Sequence, residues 1–300
     1  IDVAEGKMLS YDNASVSLGT NTLTLSGAGT FANSQALMLD DGSGILEMTG
    51  AGTIDNVGVT VDLADDKGLK ISNASTITTL EVNALVPVEI ESSVSLSGSI
   101  DVNGGGVLKL TKAGTLAAAV SLDGGSLDVD ESLSASGAII LTDNSTIDIA
   151  EEKTLTYDNV SVSLGSNTLT MSGPGTLANS QALLLDIPSS LLEMTGAGTI
   201  DNVRVTSNLD SGKGLKISSA STITTLVVNA STPLAIESGV SLSGSIVLNS
   251  ALQEGAHSGR GPKSLPFGSG QKCSKKGPKQ RFEASKPSIS TRIFSICHQL

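Results

Sequence analysis

Residues 1–103 and 147–249 are one sequence written twice: at a constant offset of 146, without a gap, they match at 74 of 103 positions. Whatever fold the first copy adopts, the second must be able to adopt as well. The exchanges on the presumed inner side keep apolar character, with Val3 opposite Ile149, Leu25 opposite Met171, Phe31 opposite Leu177 and Met38 opposite Leu184.

The offset divides further. Leu46-Glu47-Met48-Thr49-Gly50-Ala51-Gly52-Thr53-Ile54 is an apolar-polar-apolar triplet, a small-residue corner and another apolar residue. The shape returns at Leu23, Leu69, Val88, Leu108, Leu127 and Ile147, then at Leu169, Leu192, Leu215 and Leu234. The last apolar residue of each triplet gives anchors at Val3, Leu25, Met48, Ile71, Ile90, Leu110, Val129 and Ile149, with steps of 22, 23, 23, 19, 20, 19 and 20. They continue at Met171, Met194, Ile217 and Ile236. A fixed period near twenty residues is the mark of stacked repeats.

Within a coil the alternation has period two, as in Thr22-Leu23-Thr24-Leu25 or Leu108-Lys109-Leu110, broken by clusters such as Ser26-Gly27-Ala28-Gly29. Such runs are short strands between corners, not helices. The chain is therefore expected to be all-β, a parallel β-helix (β-solenoid) of about twelve coils of 19–23 residues. Its hand should be right, since crossover connections prefer it, and its body roughly 55 Å long at one strand spacing per coil. A string of sandwich domains would carry buried Trp or Tyr and need no constant step. This chain has no Trp and two Tyr.

The register makes two demands. The inner column Val3, Leu25, Met48, Ile71, Ile90, Leu110, Val129, Ile149, Met171, Met194, Ile217 and Ile236 should be buried. The middle positions Asp2, Thr24, Glu47, Lys70, Glu89, Lys109, Asp128 and Asp148 should face outward, and from Glu47 to Asp128 their signs alternate, so stacked neighbours attract.

The net charge of −12 hides two segments: residues 1–250 carry nine Lys plus Arg against 28 Asp plus Glu, and residues 251–300 carry nine against two. The repeat stops at Ser250. Residues 1–250 are thus expected to form the solenoid, with its second copy incomplete, and 251–300 a basic tail that is disordered or unrelated. The cluster Lys272, Lys275, Lys276, Lys279 and Arg281 has no interleaved aromatics, and an acidic body opposes a polyanion, so nucleic acid is not an expected partner. No stretch approaches the roughly 18 to 20 continuous apolar residues of a membrane helix. Ile1 corresponds to Ile147, which lies in mid-pattern, so the chain is expected to be a fragment of something longer, continued end to end by further repeats.

Both His (His257, His298) and both Cys (Cys273, Cys297) lie in the tail. The body therefore has no Ser-His-Asp or Cys-His arrangement and no zinc site of the usual ligands. Its carboxylate clusters are Asp40-Asp41, Asp65-Asp66, Asp128 with Asp130-Glu131, and Glu151-Glu152, and its one arginine, Arg204, has Gly58 as counterpart. Asp40-Asp41-Gly42-Ser43-Gly44 has the oxygens calcium takes, but the second copy has Asp186-Ile187-Pro188-Ser189-Ser190 there. These are read as solvated corner charges. The Thr-x-Thr pairs starting at Thr22, Thr76, Thr154, Thr168 and Thr222 fall at different places in the coil, so no ice-binding array is expected. No catalytic residue, cofactor or metal is assigned.

Leu23-Thr24-Leu25-Ser26-Gly27-Ala28-Gly29-Thr30-Phe31 and its counterpart Leu169-Thr170-Met171-Ser172-Gly173-Pro174-Gly175-Thr176-Leu177 resemble the strand repeats of bacterial autotransporter passengers and filamentous haemagglutinin-like adhesins, over residues 1 to about 249. The resemblance implies a non-catalytic, surface-exposed or secreted adhesin or scaffold, with glycans or proteins of a host or neighbouring cell as partners. Polysaccharide-active β-helix enzymes are the rival reading, and a purely structural segment of a giant repeat protein the other.

Overall fold

The computed structural model describes residues 1–64, 67–71, 75–85, 88–90, 95–111, 113–217, 220–230 and 241–248. These residues contain strands and no helix, and the strands of successive coils pair in parallel. Each coil contributes to three faces in turn, so the protein is a parallel β-solenoid.

The first face stacks β3 (Thr22–Leu25), β6 (Ile45–Met48) and β8 (Gly68–Ile71) in one sheet. Its second sheet runs β10 (Val88–Ile90), β12 (Val107–Leu110), β15 (Ser126–Val129), β18 (Ser145–Ile149), β21 (Thr168–Met171), β24 (Leu191–Met194) and β26 (Gly214–Ile217). The second face carries β1 (Met8–Tyr11), β4 (Thr30–Asn33), β13 (Gly114–Leu116), β16 (Leu133–Ala135), β19 (Thr154–Tyr157) and β22 (Thr176–Asn179). The third carries β2 (Val16–Ser17), β5 (Leu37–Leu39), β14 (Ala119–Asp123), β17 (Ile139–Leu141), β20 (Val162–Ser163) and β23 (Leu183–Leu185). Six longer strands bend from the second face onto the third: β7 (Thr53–Val59), β9 (Thr76–Val82), β11 (Ser95–Asn103), β25 (Thr199–Val205), β27 (Thr222–Val228) and β28 (Ser241–Leu248).

The core is the row of inward residues from all three faces, almost wholly aliphatic. Leu39, Leu46, Ile54, Leu80, Ile100, Leu108, Leu127, Leu155, Leu169, Leu192 and Ile200 are fully buried. Burying one such side chain contributes about 1.5–3 kcal/mol. Of the expected inner column, Leu25, Met48, Leu110, Val129, Ile149, Met171, Met194 and Ile217 are buried, while Val3 and Ile71 are half-buried. Ile236, the side chain of Ile90, and residues 251–300 lie outside what is described.

The stacking departs from expectation at one junction. Ile149 does not sit on Met171: Ile147 pairs with Met171, the Ser172 N–H donates to the Ile147 carbonyl at 3.1 Å, and the Ser172 hydroxyl donates to the Asp148 carboxylate 24 positions away. The first copy does the same, with Asp2 bridged to Ser26. A slip of two residues keeps every side chain on its own face, whereas a slip of one would turn the strand inside out. What takes the place above Ile149 is Gly173, where a Cβ would collide with the Ile149 carbonyl oxygen. The Gly-x-Gly corner thus lets the chain cross directly over the end of β18.

A second feature was not anticipated from sequence. At the bend between the second and third faces, Asn33 is 2% exposed and Asn179 1%. The Asn33 side chain accepts from the backbone N–H of Asp55 and of Asn56, each at 3.2 Å, and donates to the carbonyls of Gln35 at 3.0 Å and Asn56 at 2.6 Å. The Asn56 amide donates back to the Asn33 carbonyl. Asn179 repeats this with Gln181 at 2.8 Å, the Asn202 carbonyl at 2.7 Å and the Asn202 N–H at 3.2 Å. Bending the chain takes backbone groups out of the ladder, and a buried unpaired group is costly; the stacked asparagines replace the missing partners. Thr79 and Thr225 are the next residues of the two rows. Beyond them β11 has one extra residue at the bend, where Gly98 passes so close to the Thr78 carbonyl that a Cβ would collide with it.

Candidate functional site

The outward row on the first face is largely in the expected register. Thr24, Glu47 and Lys70 align, as do Glu89, Lys109, Asp128 and Asp148, and in the second copy Thr170, Glu193 and Lys216. Thr24 donates to Glu47 at 3.0 Å, and Lys216 pairs with Glu193 at 2.6 Å. Lys109 also reaches past the strand to Asp130 at 2.9 Å. Exposed pairs of this kind are worth roughly 0–1 kcal/mol, so the row sets register more than it supplies stability.

The sequence clusters resolve into such local roles. Asp40 accepts from the Ser17 hydroxyl at 2.8 Å and the Gly19 N–H at 3.2 Å, and the Ser17 bond is the main cause that holds its pKa below the ordinary value. Asp41 accepts from the Ser43 N–H at 2.9 Å and so closes its own turn. Glu131 pairs with Lys153 at 2.7 Å. Glu151-Glu152 form a turn in which Glu152 has a φ of 60°. Asp65-Asp66 lie outside the described residues. Among the described residues no three of His, Cys, Asp and Glu converge as a metal would require.

One pair of acids emerges that no sequence cluster announced. On the third face Gly58, Glu81, Asp101 and Ser121 stand in register across four coils. Glu81 and Asp101 are therefore ladder neighbours, about 4.8 Å apart between backbones. Asn83 donates to the Glu81 carboxylate at 3.0 Å and Asn103 at 3.5 Å. Partial burial, and then the Glu81 charge, push the Asp101 carboxyl above its ordinary pKa. Two adjacent carboxyl groups, one of them pushed toward its neutral form, are the elementary kit of acid–base work on a glycosidic bond. In the second copy the same row reads Arg204, Val227 and Val247, which can do none of that. The described aromatic side chains, Tyr11, Phe31 and Tyr157, lie in or against the core, so among the described residues no ring stands beside the pair to stack on a sugar. Only the register brings these acids together, since 81 and 101 are one coil apart across the extra residue at Gly98.

Threonine is more ordered than expected. Thr30, Thr53 and Thr76 form one outward ladder on the second face, and Thr154, Thr176, Thr199 and Thr222 another. Three of the five Thr-x-Thr pairs, at Thr76, Thr154 and Thr222, share this face, and those at Thr22 and Thr168 lie on the first. The neighbouring outward row, two residues on, is chemically mixed, because Thr78 and Thr224 donate to Asp55 at 3.4 Å and Asp201 at 3.1 Å.

The remaining surface of interest is the end of the stack at β1. There Ile1 is 50% exposed, Met8 67% and Leu9 43%, and an apolar cleft is lined by Ile1, Val3, Leu25, Phe31 and Met48. No family model, curated protein or solved structure matches the chain.

Proposed function

We propose that the protein is a non-catalytic, surface-exposed or secreted repeat protein that acts as an adhesin or rigid scaffold. The observation that carries this reading is the continuous stack: ten strands on the first face, in sheets of three and seven, share one aliphatic core with two further faces. Such a body bends little and holds its ends a fixed distance apart, which is what a molecule needs to present a binding surface away from a cell. The resemblance to autotransporter passengers and haemagglutinin-like adhesins points the same way. Beads coated with the chain and offered to cells and to a glycan array test it: specific retention supports an adhesin, and none across both leaves the scaffold role.

The Glu81–Asp101 pair favours a second reading, a polysaccharide-active β-helix enzyme. Release of reducing ends or unsaturated products from common polymers, lost on Asp101→Asn, would establish it and displace the first.

A further inference from the structure

The outward positions of the third face form one row along the stack. From Met38 the ladder carries it through Gly58, Glu81, Asp101 and Ser121 to Ile140. β20 lies against β17 in the next coil, and Ser163, like Ile140, is exposed between two buried neighbours. From Ser163 the ladder continues through Leu184, Arg204 and Val227 to Val247. Ile140, a large aliphatic side chain 48% exposed, stands in the middle of this row.

The two halves of the row differ in chemistry. Before Ile140 it is acidic: Glu81 and Asp101 are ladder neighbours, and among the described residues neither has a cationic partner. After Ile140 it holds Arg204, exposed and without an ion pair among the described residues, between the half-buried aliphatic side chains of Leu184 and Val227. Three ladder steps separate Glu81 from Ile140, and three separate Ile140 from Arg204. Turned end for end about an axis through Ile140, the row therefore lays Arg204 of one copy on Glu81 of another. The same turn brings Val227 opposite Gly58 and Val247 opposite Met38, whose sulfur fills the space that a Cβ at Gly58 would need. It sets Leu184 against Asp101, one step from Arg204. A two-fold interface has to be complementary to itself in this way.

We propose that the third face is a docking surface for a second copy of this chain, packed antiparallel across a two-fold axis at Ile140, with Arg204 of each copy against Glu81 of the other. Ten ladder steps of about 4.8 Å and a face about four residues wide give on the order of 600 Å² per partner, at the small end of specific interfaces. A surface of that size associates weakly, and the two Arg–Glu pairs select its register. Docking also brings a guanidinium beside two neighbouring carboxyl groups, which favours their charged forms. This goes beyond the adhesin reading, which does not depend on it, and it gives Glu81 and Asp101 a role other than acid–base work.

Sedimentation velocity on the full chain tests it, from about 1 to about 200 µM, the range in which so small an interface associates. The chain should pass from monomer to dimer and go no further, since a two-fold contact closes on itself. Arg204→Glu alone and Glu81→Arg alone each put like charges together at both pairs, and each should weaken the dimer at least tenfold. Mixed in equal amounts, the two variants should associate with each other as the parent chain does, because each then meets the opposite charge at both pairs. A monomer at every concentration overturns the proposal. So does association that neither reversal weakens, since the contact then lies elsewhere on the chain. Failure of the mixture to restore the dimer, or growth past the dimer, overturns it as well. Should either reversal unfold the chain, as followed by circular dichroism, Ile140→Ser decides: loss of the dimer supports the two-fold contact at that residue, and an unweakened dimer overturns it.

Discussion

Residues 1–25 and 147–171 are nearly the same sequence in two settings. Ile1 is 50% exposed and Ile147 2%; Leu9 is 43% exposed and Leu155 0%. Tyr11 and Val16 are half-buried where Tyr157 and Val162 are buried. Local structure does not differ, since β1 and β19 each pair with the following coil in the same register. What differs is the coil beneath, present for one and absent among the described residues for the other. In a solenoid, burial belongs to the stack and not to the coil, because each repeat contacts only its neighbours.

Charge substitutions should show the largest gap between the two settings. A lone carboxylate in a dry aliphatic column costs several kcal/mol, against a whole-domain stability of about 5–15 kcal/mol. Leu155→Asp and Leu110→Asp are therefore expected to abolish cooperative melting followed by circular dichroism. Leu9→Asp, with water beside it, should cost less than about 1 kcal/mol. An equal loss at Leu9 would break the comparison.

The first-face ladder explains how far the sequence could be read. Period-two alternation says which residues point inward, and the anchors Leu25, Met48, Leu110, Val129, Ile149, Met171, Met194 and Ile217 are buried. Alternation is blind to a slip of two, so Val3 over Leu25 and Ile149 over Met171 were the natural alignments, and Gly173 decides otherwise by close backbone approach. Asn33 and Asn179 look like turn formers in a chain rich in Asn, Ser and Gly, because nothing local distinguishes an exposed corner amide from one that is 1–2% exposed. Their recurrence at Asn56 and Asn202, one coil later, was the available signal. The Glu81–Asp101 pair depends on register across the bulge at Gly98, which a count of residues does not reveal.

The asparagine rows sharpen the comparison by predicting equality where the leucines predict difference. Asn33 and Asn179 both lie beneath a following coil, at Asn56 and Asn202. Asn33→Ala and Asn179→Ala should each cost about 2–3 kcal/mol, from buried backbone groups left without partners. Urea unfolding of the two variants checks it. A cost at Asn33 far below that at Asn179 would mean that the whole first coil, and not only its outer edge, is loosely held.

A smaller asymmetry is expected at the tyrosines. The Tyr157 hydroxyl accepts the Ile139 N–H at 3.3 Å in a buried position, so Tyr157→Phe should cost about 1 kcal/mol. Tyr11 has no such strand beneath it among the described residues, and Tyr11→Phe should be silent within error.

The acids on the third face compare the copies in the opposite sense, for here the first copy carries the strain. Glu81 and Asp101 face one another across a ladder step where the second copy has Val227 and Val247. Burial, and then the Glu81 charge, raise the Asp101 pKa, so the folded state holds that proton more tightly than the unfolded chain. Below the ordinary carboxylate range both states are protonated and the site costs nothing. As pH rises through the ordinary value and then the raised one, stability falls, and above both the full penalty is present. Asp101→Asn removes the charge without changing the shape, so it should stabilise the protein at pH 7 by an amount on the order of 0.5 kcal/mol, the scale of a cross-strand like-charge pair. Repeating the melts at pH 3 should erase the difference. A stabilisation that persists at pH 3 would locate the effect in packing or hydrogen bonding, and not in the carboxylate pair.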